Sequence, residues 1–308
     1  MKRFMEKILV VGGAGLVGDA LVRAWEKRGV QVLAADCCPE LGPGMIRLDM
    51  RDENEVRAVL AQVGPGVVAV PAANPHVDYC ELHPEETRRV NVAGTLNLAR
   101  ACREHGARMI FYSSDYVFDG CRGAYGEDDA VCPLNEYGHQ KAEAEAGVLA
   151  ADARNLVIRT ASVYGWQIAP KNFALQVMRK LAAGESLQAA CDARGSPTYV
   201  ENLAEVTVEL AACGAAGVFH VVGADHLLRH EFALLVARAF GLAEALLHPV
   251  SCAQFRGVAP RPRDAVLRTG KAQAVVAIPL LGARAGLERM RAFEKEWRAH
   301  AAARLAPI

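Results

Sequence analysis

The chain has 308 residues, 52% of them hydrophobic, and a formal net charge of zero. That length suits two lobes or one large α/β unit with a sizeable core. Without a basic surplus or a charge run, nucleic acid is not an expected partner. No apolar stretch is long enough to cross a bilayer and no signal peptide is read before the first strand, so the cytoplasm is the expected location. The nine cysteines are scattered, odd in number and lack a Cys-x-x-Cys pair, which fits a reducing compartment. Cys37-Cys38 is read as two ordinary small residues.

Lys7 to Val11 is a short apolar run, expected as a buried parallel strand. Gly12, Gly15 and Gly18 follow in a Gly-x-x-Gly-x-x-Gly turn, and Leu16 to Lys27 continues as a helix with Gly29 as its C-cap. Such a turn lets backbone N–H groups approach a pyrophosphate, and the helix N-terminus stabilises its charge. Gln31 to Ala35 is a second strand ending at Asp36, eighteen residues beyond Gly18. A carboxylate there accepts both ribose hydroxyls of NAD and repels a 2′-phosphate, so NADH is expected over NADPH. Met45 to Leu48 is a third strand, closed by Asp49-Met50. Asp52 caps a helix to Gln62. Val67 to Val70 is a strand buried on both faces. The small residues Pro71-Ala72-Ala73 behind it would let the backbone lie against a cofactor.

Pro84 opens an expected long helix, Glu85 to Glu104. Arg108 to Tyr112 is the fifth strand and ends in Ser113-Ser114. A polar loop, Asp119 to Pro133, leads to a helix beginning near Tyr137, and Leu156 to Arg159 is the sixth strand. This alternation predicts a Rossmann-type, doubly wound parallel sheet over residues 1–164. The rhythm then breaks. Helices are expected at Asn172 to Ala183, Val200 to Ala212, Glu231 to Phe240 and Leu287 to Ala302. The turn Gly195-Ser196-Pro197-Thr198 and the rigid loop Pro260 to Pro262 lie between them. Val218 to Val222 reads as a strand that returns to the sheet, so residues 198–222 are expected to pack back on the first domain. The rest of 165–308 forms a smaller α/β lobe that holds substrate over the strand ends. His226 and His230 are four apart on an expected helix, but with no third ligand in view they read as a surface face and no metal is expected.

Tyr137 and Lys141 stand at i and i+4 and share one face of a helix. An ammonium beside a tyrosine favours the tyrosinate and pulls its pKa down from about 10. A tyrosine so tuned gives a proton to a carbonyl oxygen or takes one from an alcohol. Ser114 could donate a hydrogen bond to the same oxygen.

These residues, in this order, resemble the extended short-chain dehydrogenase/reductases, and among them the dTDP-4-dehydrorhamnose reductase branch. The resemblance runs through Gly12 to Gly18, Val77-Asp78 with Glu81, Asn91-Val92-Ala93-Gly94-Thr95 and the stretch Tyr112 to Gly120. It continues through Tyr125 with Glu127, Pro133, Tyr137-Gly138 and Lys141. Arg159-Thr160, Val163-Tyr164, Asn172-Phe173, Gly195 to Thr198 and Arg261-Pro262 complete it. It implies an NAD(P)-dependent oxidoreductase acting on a nucleotide-linked 4-ketosugar. By that resemblance Ser114, Tyr137 and Lys141 are catalytic, with Tyr137 the proton donor and Lys141 also on the nicotinamide ribose. Gly12, Gly15, Leu16 and Val17 would line the pyrophosphate, Asp36 take the adenosine ribose, and Asp49 and Met50 flank the adenine. Ala72, Ala73 and Tyr112 would border the nicotinamide. Ser114, Ser162, Asn172 and Arg261 would meet substrate, and the family admits a homodimer.

The chain departs from that branch at three places. Gln140 replaces a serine before the lysine and points off the Tyr–Lys face, so little effect is expected. Ala265 replaces a serine, and Ser162 a tryptophan beside the sugar. Two alternatives stay open. An NAD-retaining sugar epimerase uses the same groups, whereas a dehydratase needs a glutamate where Tyr116 stands. A non-catalytic regulatory subunit on this fold, as one relative is for methionine adenosyltransferase, is the other.

Overall fold

The computed structural model describes residues 7–37, 44–168, 171–255 and 257–305. Cys38 lies outside them. Strands β1 (Lys7–Val11), β2 (Gln31–Asp36), β3 (Ile46–Arg47), β4 (Val67–Val70), β5 (Arg108–Ser114), β6 (Leu156–Thr160) and β7 (Gly217–His220) form one sheet in the order β3-β2-β1-β4-β5-β6-β7. Every pairing in it is parallel. The direction of winding reverses between β1 and β4, and the strand ends at such a reversal are where open α/β sheets bind ligands.

Side-chain alternation builds two cores from one sheet. Ile8 and Val10 of β1, with Val67 and Ala69 of β4, pack on Leu21 and Trp25 of helix α1 (Leu16–Glu26) and on Leu203 of the helix Val200–Ala212. Leu9, Val11, Val68 and Val70 face the other way, onto Val56 and Leu60 of α2 (Glu53–Val63) and Leu98 of α3 (Thr95–Glu104). All four residues of β4 are buried. At about 1.5–3 kcal/mol for each fully buried Val, such a run is stable only in a sheet interior. Asp52 caps α2, its carboxylate accepting from the amides of Asn54 and Glu55. Helix α4 (Glu136–Ala151) starts at Asn135, whose side chain accepts from the Gly138 amide and donates to the Pro260 carbonyl.

The segment Glu85 to Glu104 is not one regular helix. Pro84–Arg88 is α-helical, Arg89–Gly94 is a π-helix, and α3 begins at Thr95. The wider π turn lets Asn91 face inward and meet Asn74 and Gln140. Val77–Leu82 is a further short helix that the sequence reading did not name.

Beyond β6 the chain is held by short pairings. Val163–Tyr164 pairs with Thr198–Tyr199, Arg194–Gly195 with Leu227–Leu228, and Leu187–Ala190 with Leu247–Val250. A third core forms here from Tyr164, Leu175, Phe232, Val236, Leu287 and Met290. It joins the helices α5 (Phe173–Ala182), α6 (Arg229–Phe240) and α7 (Ala283–Leu305).

Candidate active site

The turn after β1 is shaped by its own backbone. Gly12 and Gly13 donate to the Ala35 carbonyl at 2.8 and 3.0 Å, and Gly15 to the Gly12 carbonyl at 3.1 Å. Gly12 has φ +94°, and a Cβ there would lie 2.7 Å from the Ala72 amide nitrogen. A Cβ on Gly18 would lie 2.0 Å from the Gly12 carbonyl oxygen. These glycines therefore bring β1, the loop after β4 and α1 together. The first amides of α1, from Leu16 and Val17, have no intrahelical acceptor and stand at the positive end of its dipole. Gly15, the N-cap, offers no side-chain cap. The arrangement fits a dinucleotide pyrophosphate.

Asp36 ends β2 and accepts from the Ala14 amide at 3.0 Å, which ties it to the turn. Asp49 is chelated by Arg51, whose Nε and Nη2 reach its two oxygens at 2.9 and 2.6 Å and hold its carboxyl below the usual range. Met50 is buried and packs under Gly94, and its carbonyl accepts from Asn97. Ala72 lies against Gly12, and Ala73 follows it in the loop that Asn91 fastens at Asn74.

The ends of β5 and α4 bring Ser114, Tyr137 and Lys141 into one region. Lys141 is buried and donates to the Tyr112 carbonyl at 2.8 Å, with its Nζ 4.7 Å from the Phe111 ring centre and 5.9 Å from that of Tyr137. Burial pushes its pKa down to about 8. The tyrosine behaves otherwise than the pairing rule predicts. Burial, then the nearby Asp115 carboxylate, hold Tyr137 above its ordinary range, and the Ser114 hydroxyl draws it back. The Lys141 ammonium gives its hydrogen bond to the Tyr112 carbonyl and not to the phenol. Tyr112 itself turns its phenol away from the site, into the core, where it donates to Thr207 at 2.9 Å. What it offers here is a carbonyl.

A cleft of about 1200 Å³ adjoins this region. Asp115 and Tyr116 belong to its wall; Ser114 is bonded to Asp115, and Tyr137 meets Tyr116 edge-on at 6.1 Å. Ser162 and Arg261 also line it. Ser162 sits at φ +45°, a left-handed conformation that a non-glycine residue takes at some cost. Arg261 is paired with Asp78, whose carboxyl the guanidinium holds down at about 2. Asn172 is not brought to the cleft wall. It caps α5, accepting from the Leu175 amide and donating to the Gly165 carbonyl, and its neighbour Phe173 lines the cleft instead. Trp166 does not fill the space at Ser162. It stacks on Trp297 at 5.8 Å and donates to the Met290 carbonyl.

Sequence reasoning missed several groups. Arg229 lies over the Phe173 ring at 3.7 Å in the cleft wall. Asp115 is 7% exposed and holds Ser114. Gln140 does point off the Tyr–Lys face, but into a buried network: it accepts from Asn91 at 2.8 Å and donates to Thr87 at 2.9 Å and Glu136 at 3.0 Å. The signal in the sequence for Asp115 is an acid directly after a serine that ends a strand. His226 bonds Ser196 at 3.0 Å and precedes α6, so it shares no helix face with His230. Among the described residues no group of His, Cys, Asp and Glu could hold a metal ion, and no helix is long and apolar enough to cross a membrane.

Residues 5–294 match the family described as RmlD substrate binding domain. The chain is 35% identical over 263 residues to the dTDP-4-dehydrorhamnose reductase of Mycobacterium tuberculosis (strain CDC 1551 / Oshkosh), covering 83% of each. It is 30% identical over 268 residues to methionine adenosyltransferase 2 subunit beta of Bos taurus, covering 85% of this chain and 80% of that protein. Its fold is similar to a crystal structure of dTDP-4-dehydrorhamnose reductase from Bacillus anthracis str. Ames in complex with NADP. The TM-score is 0.86 at 26% identity, covering 93% of this chain and 99% of that one.

Proposed function

Since the chain belongs to the RmlD substrate-binding domain family, we propose that it is an NAD(P)H-dependent reductase of a nucleotide-linked 4-ketosugar. The observation that carries the reading is the convergence of Ser114, Tyr137 and buried Lys141 between a dinucleotide turn and a large cleft. A bound nicotinamide supplies a hydride. As the ketone carbon gains it, the carbonyl π pair moves to oxygen, and that oxygen takes the proton of the Tyr137 hydroxyl. Ser114 donates a hydrogen bond to the developing alkoxide. Lys141, fixed by Tyr112, orients the cofactor ribose and opposes the charge left on Tyr137. Residues 165–308, apart from 198–222, would serve mainly as the substrate lobe, with Arg261 and Ser162 on the substrate. NADH is the preferred donor because Asp36 ends β2 and the nearby Arg51 is already engaged by Asp49. A homodimer in the cytoplasm belongs to the same reading.

The sugar is bulkier or more substituted than 4-dehydrorhamnose. Ser162 stands where the resembled branch has tryptophan, and Trp166 is anchored elsewhere. A lost aromatic contact costs about 1–3 kcal/mol, or roughly ten- to a hundredfold in selectivity. The test is an NADH-oxidation screen against a panel of nucleotide-4-ketosugars, with the native protein and with Ser162→Trp. Turnover of amino-substituted or bulkier sugars, shifted toward dTDP-4-dehydrorhamnose by Ser162→Trp, is the expected result. Preference of the native protein for dTDP-4-dehydrorhamnose overturns the sugar assignment. Reduction of no ketone, with retention of a methionine adenosyltransferase in a pull-down, overturns the reductase reading.

A further inference from the structure

A count of hydrogens at Ser114 assigns work to its neighbour. A serine hydroxyl carries one hydrogen and two acceptor lone pairs. Here the hydrogen goes to Asp115 Oδ1, 2.9 Å away, while the Tyr116 amide donates into Ser114 Oγ at 3.2 Å. With Asp115 ionised the bond has this direction, because a carboxylate only accepts. The serine then has nothing left to donate to a ketone oxygen. With Asp115 protonated the bond reverses. The carboxyl O–H donates to Ser114 Oγ, the Tyr116 amide keeps the second lone pair, and the serine hydrogen is free to turn to the Tyr137 oxygen and to a substrate oxygen bound beside it.

We propose that Asp115 arms Ser114: its protonated form frees the serine hydroxyl to bond the substrate oxygen, and its ionised form withdraws it. The proposal rests on the reading of Ser114 and Tyr137 as the groups that meet a ketone. It makes Asp115 a positioning residue acting through Ser114, in a reaction that otherwise needs no carboxyl.

The surroundings favour the protonated form. Asp115 sits in the single turn Asp115–Val117 and is 7% exposed. From α4, Tyr137 faces it, and Lys141 turns its Nζ to the Tyr112 carbonyl. Across the cleft Arg261 is held by Asp78 and the Ala259 carbonyl, and Arg229 lies over Phe173. The neighbouring Tyr116 phenol is itself pushed up to about 12 by burial. Cys80 lies near Tyr137, and burial holds its thiol above the ordinary range. Burial, opposed by the hydrogen bonds of Ser114 and of the Asp115 and Tyr116 amides, pushes the carboxyl up to about 7. Its surroundings thus move its ionisation from the ordinary carboxylate range toward neutral pH.

The test joins kinetics to spectroscopy. In the native protein kcat/KM should fall as pH rises past about 7, by at most about tenfold per unit for this single ionisation, toward the rate of the protein without the serine hydroxyl. Lys141, pushed down to about 8, adds a second fall above that pH. Asp115→Asn carries an amide that donates to Ser114 Oγ at every pH. It should lose the first fall, keep the second, and match or exceed the native rate between them. Ser114→Ala should be slow throughout and also lack the first fall. Infrared spectra of the protein without substrate should show a carboxylic C=O band that fades near pH 7 and is missing in Asp115→Asn. A first fall that survives either substitution overturns the proposal, as does a native protein with no such band. In those cases ketone reduction still stands. A native protein that reduces no ketone sinks the proposal together with the reading beneath it. Should Asp115→Asn not fold, the Ser114→Ala profile and the native infrared titration decide.

Discussion

The turn at residues 12–18 and the wall made by residues 112–116 and 136–141 serve one site with different materials. In the turn the groups that matter are main chain: amides of Gly12 and Gly13 on the Ala35 carbonyl, and carbons of Gly12 and Gly18 with no room for a Cβ. In the wall they are buried side chains, three of whose pKa values burial has moved. Lys141 is pushed down to about 8, Asp115 up to about 7, and Tyr137 up as well. The turn should therefore be sensitive to volume and indifferent to pH. The wall should tolerate small changes of volume and respond to single atoms and to pH.

Tyr137→Phe is the strongest break on the wall side. It deletes one oxygen and keeps the ring that meets Tyr116 at 6.1 Å. Loss of a general acid lowers kcat by about 10²–10⁴. NADH affinity, measured by fluorescence titration, should change less than about threefold, because the hydroxyl acts in the transition state. A kcat within tenfold of native would remove Tyr137 from the mechanism.

Gly12→Ala should do the reverse on the turn side. The added methyl lies 2.7 Å from the Ala72 amide, at φ +94°. Left-handed strain costs on the order of 1–3 kcal/mol for a non-glycine residue, and displacement of the Ala72 loop adds to it. NADH affinity should drop about a hundredfold, by the same factor at pH 6 and pH 8. A drop that varies with pH would show that the turn senses charge after all.

How far each region was legible in the sequence follows from the same contrast. The glycine spacing, the acid ending β2 and the buried run Val67 to Val70 are local patterns, and the structure places a turn, a strand end and a central strand there. The π segment at Arg89–Gly94 depends on Asn91 meeting Gln140, which is 49 residues away, so no local period announces it. The strands of the cleft lobe are two to four residues long and too short to show alternation. The cap role of Asn172 was readable: an Asn directly before an apolar helix is an N-cap signature, and its side chain accepts from the Leu175 amide. The direction of the Tyr112 phenol follows from strand alternation with Phe111, whose ring faces Lys141.

Gln140→Ser restores the residue of the resembled branch and tests how far the wall tolerates lost volume. The serine cannot span to Asn91, Thr87 and Glu136 at once, all of which Gln140 now bonds. An unsatisfied buried polar group costs about 1–3 kcal/mol. A net loss of about 2 kcal/mol, seen as a Tm lowered by roughly 3 °C, is expected. Asn91 also fastens Asn74, beside the loop at Ala72, so NADH affinity should weaken with it. An unchanged Tm would show that water or Asn91 itself repairs the gap.

The smallest expected effect lies where the turn does carry a charge. Asp36 accepts from the Ala14 amide at 3.0 Å, so its carboxylate shapes the turn as well as, in the proposed reading, meeting the adenosine ribose. Asp36→Ala removes both functions. Loss of the turn contact weakens NADH and NADPH alike and cancels in their ratio. What remains is the ribose hydrogen bond lost to NADH and the repulsion relieved for NADPH. Two charges near a protein surface interact by a few kcal/mol at contact, but exposure and salt reduce this to about 1 kcal/mol. Arg51 does not sharpen the gain, because two bonds at 2.9 and 2.6 Å commit its guanidinium to Asp49. The NADH-to-NADPH ratio of kcat/KM should therefore narrow by less than about tenfold, with both absolute values lower. Adding Asp49→Ala would release Arg51 toward a 2′-phosphate, and the ratio should then narrow further. Equal efficiency with the two donors in the native protein would show that Asp36 holds the turn and does not choose the cofactor.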